Sequence, residues 1–364
     1  MFRSFVLNNY LGKEFLKTVL NISMVFLFLG FTLNFFEEIN FFKDYDAVGI
    51  DLPIILSILF VPSLLYNMFP FVILLSGIWF FLKIKKTDEI IALKVSGMSN
   101  FSVIIIPSIL SLIIGIVFVT SYNPISSYLV KKYETIKGSY EQDKDYLAAI
   151  TINGIWIKEK SFGKSNLIRA VKLENEELLE VSIYQFDYNN NFIKRIEAKS
   201  ADISSLHWKI KDAKIIDKEG KISSENIKNL TYRSMYDAKK LKSLYSNLDT
   251  ISFWNLENEI NLLESRGYSS KEMRAKLQQY FAFPCFLLSM LLLSAVFTLG
   301  IGFKESNWVY VFVAIISSVI IFYFVRFSAA LGKTDKLPIE ASVWMPILII
   351  FIFSAVGLIH ANQK

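Results

Sequence analysis

The chain of 364 residues holds one cysteine and two histidines. A lone Cys285 excludes a disulfide framework within the chain. It lies in an apolar run, where the ordinary role is that of a small buried hydrophobe. His207 and His360 stand far apart, and neither has a Cys, His or carboxylate at metal-ligand spacing, so no metal centre is expected. No nucleophile–base arrangement is visible. Charge is also scarce. Charged residues make up 20% of the chain against 53% hydrophobic, and mean hydropathy is +0.40. An ordinary soluble domain is less apolar. The formal net charge is +6, but the Lys and Arg residues sit mostly in loops and in the middle of the chain. No dense basic block with interleaved aromatics exists, so nucleic acid is not an expected partner. A phosphate-binding loop is missing too. Gly163-Lys164-Ser165 and Gly332-Lys333-Thr334 both lack the glycine required five residues earlier, where Lys158 and Phe327 stand.

What is present is a set of uncharged runs: Thr18–Phe36, Leu52–Leu82, Val95–Val130, Leu277–Phe303, Ser306–Val325 and Ala341–Ile359. A helix needs about 20 apolar residues to cross a bilayer, so these predict six spans in two groups of three. The second crossing is placed near 60–82 and the third near 101–122. Pro53, Pro62 and Pro70 interrupt the second run, and Pro107 and Pro124 punctuate the third. Prolines are tolerated in spans where neighbouring side chains satisfy the freed carbonyls. The first run is too long for a signal-peptide core. It is followed by Phe35, Phe36, Glu37 and Glu38 rather than by small residues, so it should remain as an anchor.

Lys and Arg in short loops set orientation. Arg3, Lys13 and Lys17 precede span one, and Lys83, Lys85, Lys86 and Lys94 follow span two. The loop after span one holds only Lys43, among Glu37, Glu38, Asp44, Asp46 and Asp51. Both termini are therefore expected in the cytoplasm, with the large middle segment outside. The loop bearing Arg326, Lys333 and Lys336 breaks this pattern.

In the middle segment, residues 123–276, continuous apolar character gives way to alternation. Ile150–Ile157, Val181–Phe186 and His207–Ile210 read as strands. Asn189-Asn190-Asn191 and Lys218-Glu219-Gly220 read as turns. Short strands with turns suggest an open sandwich or jelly-roll-like sheet. The fold class expected is thus an α-helical membrane protein with six transmembrane helices (3 + 3) and an inserted all-β, jelly-roll-like domain outside the membrane. From Ser252 the period turns helical, with Phe253, Leu256, Ile260 and Leu263 on one face. Gly267 should end that helix, and Ser269-Ser270-Lys271-Glu272 should form a capping box for the next. The domains are expected as 1–122, 123–276 and 277–364.

The segment after span two predicts a short helix over 87–97. Thr87 or Asp88 can cap it, Asp88 and Glu89 suit its positive end, and Gly97 suits its stop. Ile90, Leu93 and Gly97 share a face. Such a helix suits either a peripheral partner or the lipid surface.

Taken in order, several segments carry a resemblance. They are Tyr10 to Phe15 (Tyr-Leu-Gly-Lys-x-Phe), Glu37-Glu38, Phe69-Pro70, the run from Asp88 to Gly97 and Tyr122-Asn123-Pro124. Ser252 to Leu256, Pro284, Leu331-Gly332, Leu337-Pro338 and Trp344-x-Pro346 complete the set. The chain resembles, over nearly its whole length, the LptF/LptG permeases of the lipopolysaccharide-export ABC transporter. Residues 252–256 and the C-terminal stretch are most like the LptG type.

The resemblance implies a multi-pass bacterial inner-membrane subunit without catalysis or cofactor of its own, ATP being bound by a partner. It implies an LptF-type sister subunit, a cytoplasmic ABC ATPase dimer, a single-span periplasmic bridge protein and lipopolysaccharide as partners, beside membrane lipid. It makes the 87–97 helix the coupling helix, with Glu89 as coupling glutamate among Asp88, Ile90, Leu93, Lys94 and Gly97. Family members can place lysines at the outer end of span one to meet lipid A phosphates. Here that stretch offers Asn34, Glu37, Glu38 and Asn40, with Lys43 alone basic. Arg326 is therefore expected to compensate, with Lys333, Lys336 and Lys43 secondary, since a guanidinium binds phosphate bidentately. Aromatic residues of spans one (Phe26, Phe28, Phe31, Phe35) and five (Phe322, Tyr323, Phe324) are expected to wall an acyl-chain cavity. The alternative reading is a membrane-anchored envelope assembly factor or enzyme whose β-domain acts without an ATPase.

Overall fold

A computed structural model describes residues 5–43, 45, 48–86, 100–140, 147–151, 154–161, 164–174, 176–187, 191–234, 236–238, 247–265, 270–300, 307–334 and 336–362. Among them, six helices are long and apolar enough to cross a membrane. They are Leu7–Phe42, Asp51–Lys85, Val103–Gly138, Lys271–Thr298, Phe312–Gly332 and Ile339–His360. Three precede and three follow a β-sheet in the chain, as the uncharged runs predict. Two compact units result. One comprises residues 1–134, 249–260 and 270–364, and the other 135–248 and 261–269.

In the helical unit, α1 is Phe5–Phe42 and α2 is Asp51–Lys86. The third span is composite: α3 (Asn100–Val117), a π-helical segment (Phe118–Tyr122) and α4 (Asn123–Gly138). After a 3-10 turn (Leu248–Thr250) come α5 (Phe253–Ser265) and α6 (Lys271–Ala295), the latter ending in a second π segment, Val296–Gly300. α7 (Asn307–Lys333) and α8 (Ile339–Asn362) close the chain. α6 lies at the centre of the packing. A Cβ on Gly115 would stand 2.6 Å from Pro284 Cα, one on Gly77 would collide with Ser294, and one on Gly357 would stand 2.8 Å from Val296. Close approach without Cβ atoms is how helices gain dispersion contact where lipid offers no hydrophobic contrast. Spans two and four are mostly buried, whereas only 11% of span one and 17% of span five are covered. These two spans present most of their apolar surface outward.

Two prolines show how the freed carbonyls are satisfied. Pro346 cannot donate to Ser342, and the Ser328 hydroxyl donates to that carbonyl at 2.7 Å. Pro124 likewise leaves the Thr120 carbonyl short of a donor, and the Trp254 indole supplies one at 2.9 Å. The π segment just before it, where the Asn123 N–H reaches Phe118 O, absorbs the same disruption.

The second unit is one antiparallel 8-stranded sheet. Its strands are β1 (Leu147–Thr151), β2 (Gly154–Ser161), β3 (Lys164–Ala170), β4 (Lys172–Glu174), β5 (Glu177–Phe186), β6 (Phe192–Asp202), β7 (His207–Asp217) and β8 (Ile222–Arg233). The main path β1-β2-β3-β5-β6-β7-β8 is a meander, with β4 paired to β5. Expected strands over Val181–Phe186 and His207–Ile210 lie within β5 and β7. The single strand expected over Ile150–Ile157 is instead a hairpin, with Thr151 paired to Gly154. The sequence carries Asn-Gly at 153–154, a hairpin signal, in the middle of that alternation. The turn expected at 218–220 is present. Gly220 adopts φ 77° and donates its N–H to Asp217 O at 2.9 Å.

Trp208, fully buried, centres the core with Ile155, Ile157, Ile168, Ile183 and Ile210, and its indole donates to Tyr236 O at 2.6 Å. Buried Glu159 on β2 accepts hydrogen bonds from the Tyr232 hydroxyl at 2.6 Å and the Ser234 hydroxyl at 2.8 Å. β2 and β8 lie far apart along the meander, so this contact joins the two ends of the curled sheet. Burial, and then the neighbouring Glu159 carboxylate, push the Tyr232 phenol above its ordinary range.

The helical period after Ser252 is as expected, with Leu256 and Ile260 buried. The expected capping box begins at Ser269 and so falls partly outside the described residues. The N-cap of α6 is Ser270, without a side-chain cap bond, and its hydroxyl accepts from Arg274 Nε at 3.2 Å. Ser269 and Gly267 lie outside the described residues.

Candidate functional site

Two of the sequence segments that carry the resemblance meet in space. Asn123, 4% exposed, sits where span three passes into α4. Its Oδ1 accepts the Phe253 backbone N–H at 2.8 Å, occupying a free donor at the start of α5. Its Nδ2 donates to the Tyr280 hydroxyl on α6 at 3.0 Å. Together with the Trp254–Thr120 bond, this ties α4, α5 and α6 into one node. The node explains why Tyr-Asn-Pro and Ser-Phe-Trp occur with their particular residue types, which the sequence reading used only as marks of likeness.

Beside it lies a polar cluster that the sequence reading missed. Asp249, in the 3-10 turn, accepts from Lys276 Nζ at 2.7 Å, Asn67 Nδ2 at 3.4 Å and Ser63 Oγ at 3.5 Å. Burial opposes its ionisation, but the Lys276 ammonium and these hydrogen bonds hold its carboxyl below the ordinary range. Lys276 also lies over the Tyr280 ring, 5.4 Å from the centroid. The Tyr66 hydroxyl, within electrostatic reach of Asp249 and Tyr280, is buried without a hydrogen-bond partner. The one signal in the sequence was Lys276, the last charge before an uncharged run.

Expected substrate-contacting residues fall into separate groups. Phe31 and Phe35 stack on α1 at 5.7 Å. Phe322 on α7 lies 6.4 Å from Phe71 and 5.6 Å from Tyr323. Among the described residues no ring contact joins the two groups. Phe324 is half-buried, and Lys43 is exposed just past the end of α1. Arg326 is exposed, with its guanidinium 5.1 Å from the Phe322 ring centroid, and it lies within electrostatic reach of Lys276. Lys333 ends α7, and its side chain lies outside what is described. Glu38, grouped in sequence with exposed Glu37, is turned inward and accepts from the Tyr133 hydroxyl at 2.7 Å.

Asp88, Glu89, Ile90, Leu93, Lys94 and Gly97 lie outside the described residues. The end of α2 that leads to them is anchored twice. Lys83 pairs with Glu14 of α1, and Lys85 Nζ donates to the Thr298 carbonyl at 3.2 Å, capping the second π segment. No group of three or more metal-ligating residues occurs among the described residues.

The family model described as lipopolysaccharide export system permease LptF/LptG matches residues 9–360. No curated protein matches the chain.

Proposed function

Because the chain belongs to the LptF/LptG family of lipopolysaccharide export permeases, and so is a multi-pass inner-membrane transport protein, we propose that it is one permease half of an ABC transporter. In this reading it draws lipopolysaccharide from the inner membrane and passes it to a periplasmic bridge. The supporting observation is a family match that spans both helical groups and the β-sheet between them. The chain brings no cofactor. ATP is bound by a cytoplasmic ATPase dimer that grips residues 87–97 through Glu89 and the Ile90, Leu93 and Gly97 face, with Asp88 and Lys94 at its margin. Both termini are cytoplasmic and the β unit is periplasmic, a reading supported by the Lys and Arg of the N-terminal tail and of the segment after span two.

Acyl chains need an apolar cavity. The sparsely covered faces of spans one and five supply half of its wall, including Phe31, Phe35, Phe322 and Phe324. An LptF-type sister subunit supplies the other half, which accounts for the two aromatic groups of one chain standing apart. Lipid A phosphates meet Arg326, with Lys43 and Lys333 secondary. The test is affinity purification of the full chain from its native membrane. The reading expects an ABC ATPase and a second permease to be retained at near-equal amounts. Recovery of the chain alone, from membranes where it is folded, would favour a β-domain acting without an ATPase.

A further inference from the structure

Ser63, Asn67 and Lys276 aim a hydroxyl, an amide and an ammonium at one point, and that point is occupied by Asp249. This set of donors is what a phosphate oxygen requires. Asp249 receives a short bond from Lys276, while those from Asn67 and Ser63 are 3.4 and 3.5 Å, at the limit of hydrogen bonding. A further donor is unused. The Tyr66 hydroxyl is buried within electrostatic reach of Asp249 and makes no hydrogen bond, and an unspent buried donor is costly unless something else occupies it. Arg326, exposed on α7, lies within electrostatic reach of Lys276.

We propose that Ser63, Tyr66, Asn67 and Lys276 form an anion cradle filled in cis by the Asp249 carboxylate, and that a lipid phosphate arriving beside Arg326 displaces it. Displacement frees the 3-10 turn at 248–250 from α2 and α6. The chain that returns from the β unit would then be released when a phosphate is bound and held when it is not. A phosphomonoester carries more negative charge and more acceptor oxygens than a carboxylate, so it can use the Tyr66 donor that Asp249 leaves idle. The identity of the anion rests partly on the transport reading above; the latch itself does not.

The experiment uses the full chain with its co-purified partners in nanodiscs of phosphatidylcholine, doped with phosphatidic acid, with lipopolysaccharide, or with neither. Hydrogen exchange is followed in peptides covering 247–252, and lipid retention by native mass spectrometry. In the wild type, exchange at 247–252 is expected to rise with a phosphomonoester-bearing dopant. Asp249→Asn should raise it without dopant and retain the dopant roughly tenfold more tightly, the scale of one charge-assisted hydrogen bond. Asn67→Ala leaves the ion pair intact and should weaken retention. A response to lipopolysaccharide alone assigns the latch to the substrate. A response to both dopants assigns it to phosphomonoester headgroups in general. If neither dopant changes exchange and Asp249→Asn retains no more lipid than wild type, the proposal is wrong. Export measured separately in cells would still test the transport reading.

Discussion

Trp254 donates its indole N–H to the carbonyl of Thr120 at 2.9 Å, and Pro124, four residues after Thr120, is the reason that carbonyl needs a donor. A proline that would cost a lone helix about 3 kcal/mol is here built into a junction between span three and the return from the β unit. Trp254→Phe removes the donor and keeps the ring. It should lower the melting temperature of the detergent-solubilised chain, with a loss of about 1 kcal/mol. Asn123→Ala removes partners from Phe253 and Tyr280 together and should cost about 2–4 kcal/mol. In a double-mutant cycle, Tyr280→Phe should be nearly silent once Asn123 is gone.

Gly115 packs against Pro284 so closely that a Cβ would stand 2.6 Å from its Cα, which is backbone and cannot move aside. Gly115→Val should cost about 1–3 kcal/mol, as overpacking does. It should also reduce the amount of folded protein recovered from membranes. Gly138→Ala is the control, because nothing lies within 4 Å of its added Cβ. That substitution should be neutral.

How much of this was legible in the sequence depends on the range of the interaction. An uncharged run such as Ala341–Ile359 has no soluble alternative, so the six spans could be read directly. So could the turn at Gly220 and the buried face of Leu256 and Ile260. The hairpin at 147–161 was misread because alternation passes straight through Asn153-Gly154. Which of Glu37 and Glu38 turns inward was not legible, because two adjacent carboxylates look alike in sequence; Tyr133, nearly a hundred residues on, decides it. The Asp249 cluster was invisible for the same reason, since Ser63 and Asn67 come from a distant helix.

The pH behaviour of the β unit should follow Tyr232. Its phenol is raised above the ordinary range, so the protonated donor contributes stability below the unfolded-state value and loses it only as pH rises through the folded-state value. The contact with Glu159 should therefore survive at a pH where exposed tyrosines have ionised. Absorbance at the phenolate band should show the Tyr232→Phe variant missing one late, unfolding-linked transition. The same variant should exchange amide protons faster in β2 and β8 at neutral pH.

Arg326 is predicted to meet phosphate. A photoreactive residue at 326 should crosslink to lipopolysaccharide, and Arg326→Ala should lower export several-fold without loss of inserted protein. Absence of crosslinking together with normal export would show that Arg326 serves only ordinary headgroups at the membrane surface.

The central claim is that this chain moves lipopolysaccharide by coupling to an ATPase through residues 87–97. The most direct measurement is the arrival of newly made lipopolysaccharide at the cell surface after depletion of the chain, with complementation by wild type and by Glu89→Ala. Depletion should trap lipopolysaccharide in the inner membrane, wild type should restore surface delivery, and Glu89→Ala should insert normally yet restore about a tenth or less, the scale of one lost charge-assisted hydrogen bond. Undiminished surface delivery after depletion would contradict the account.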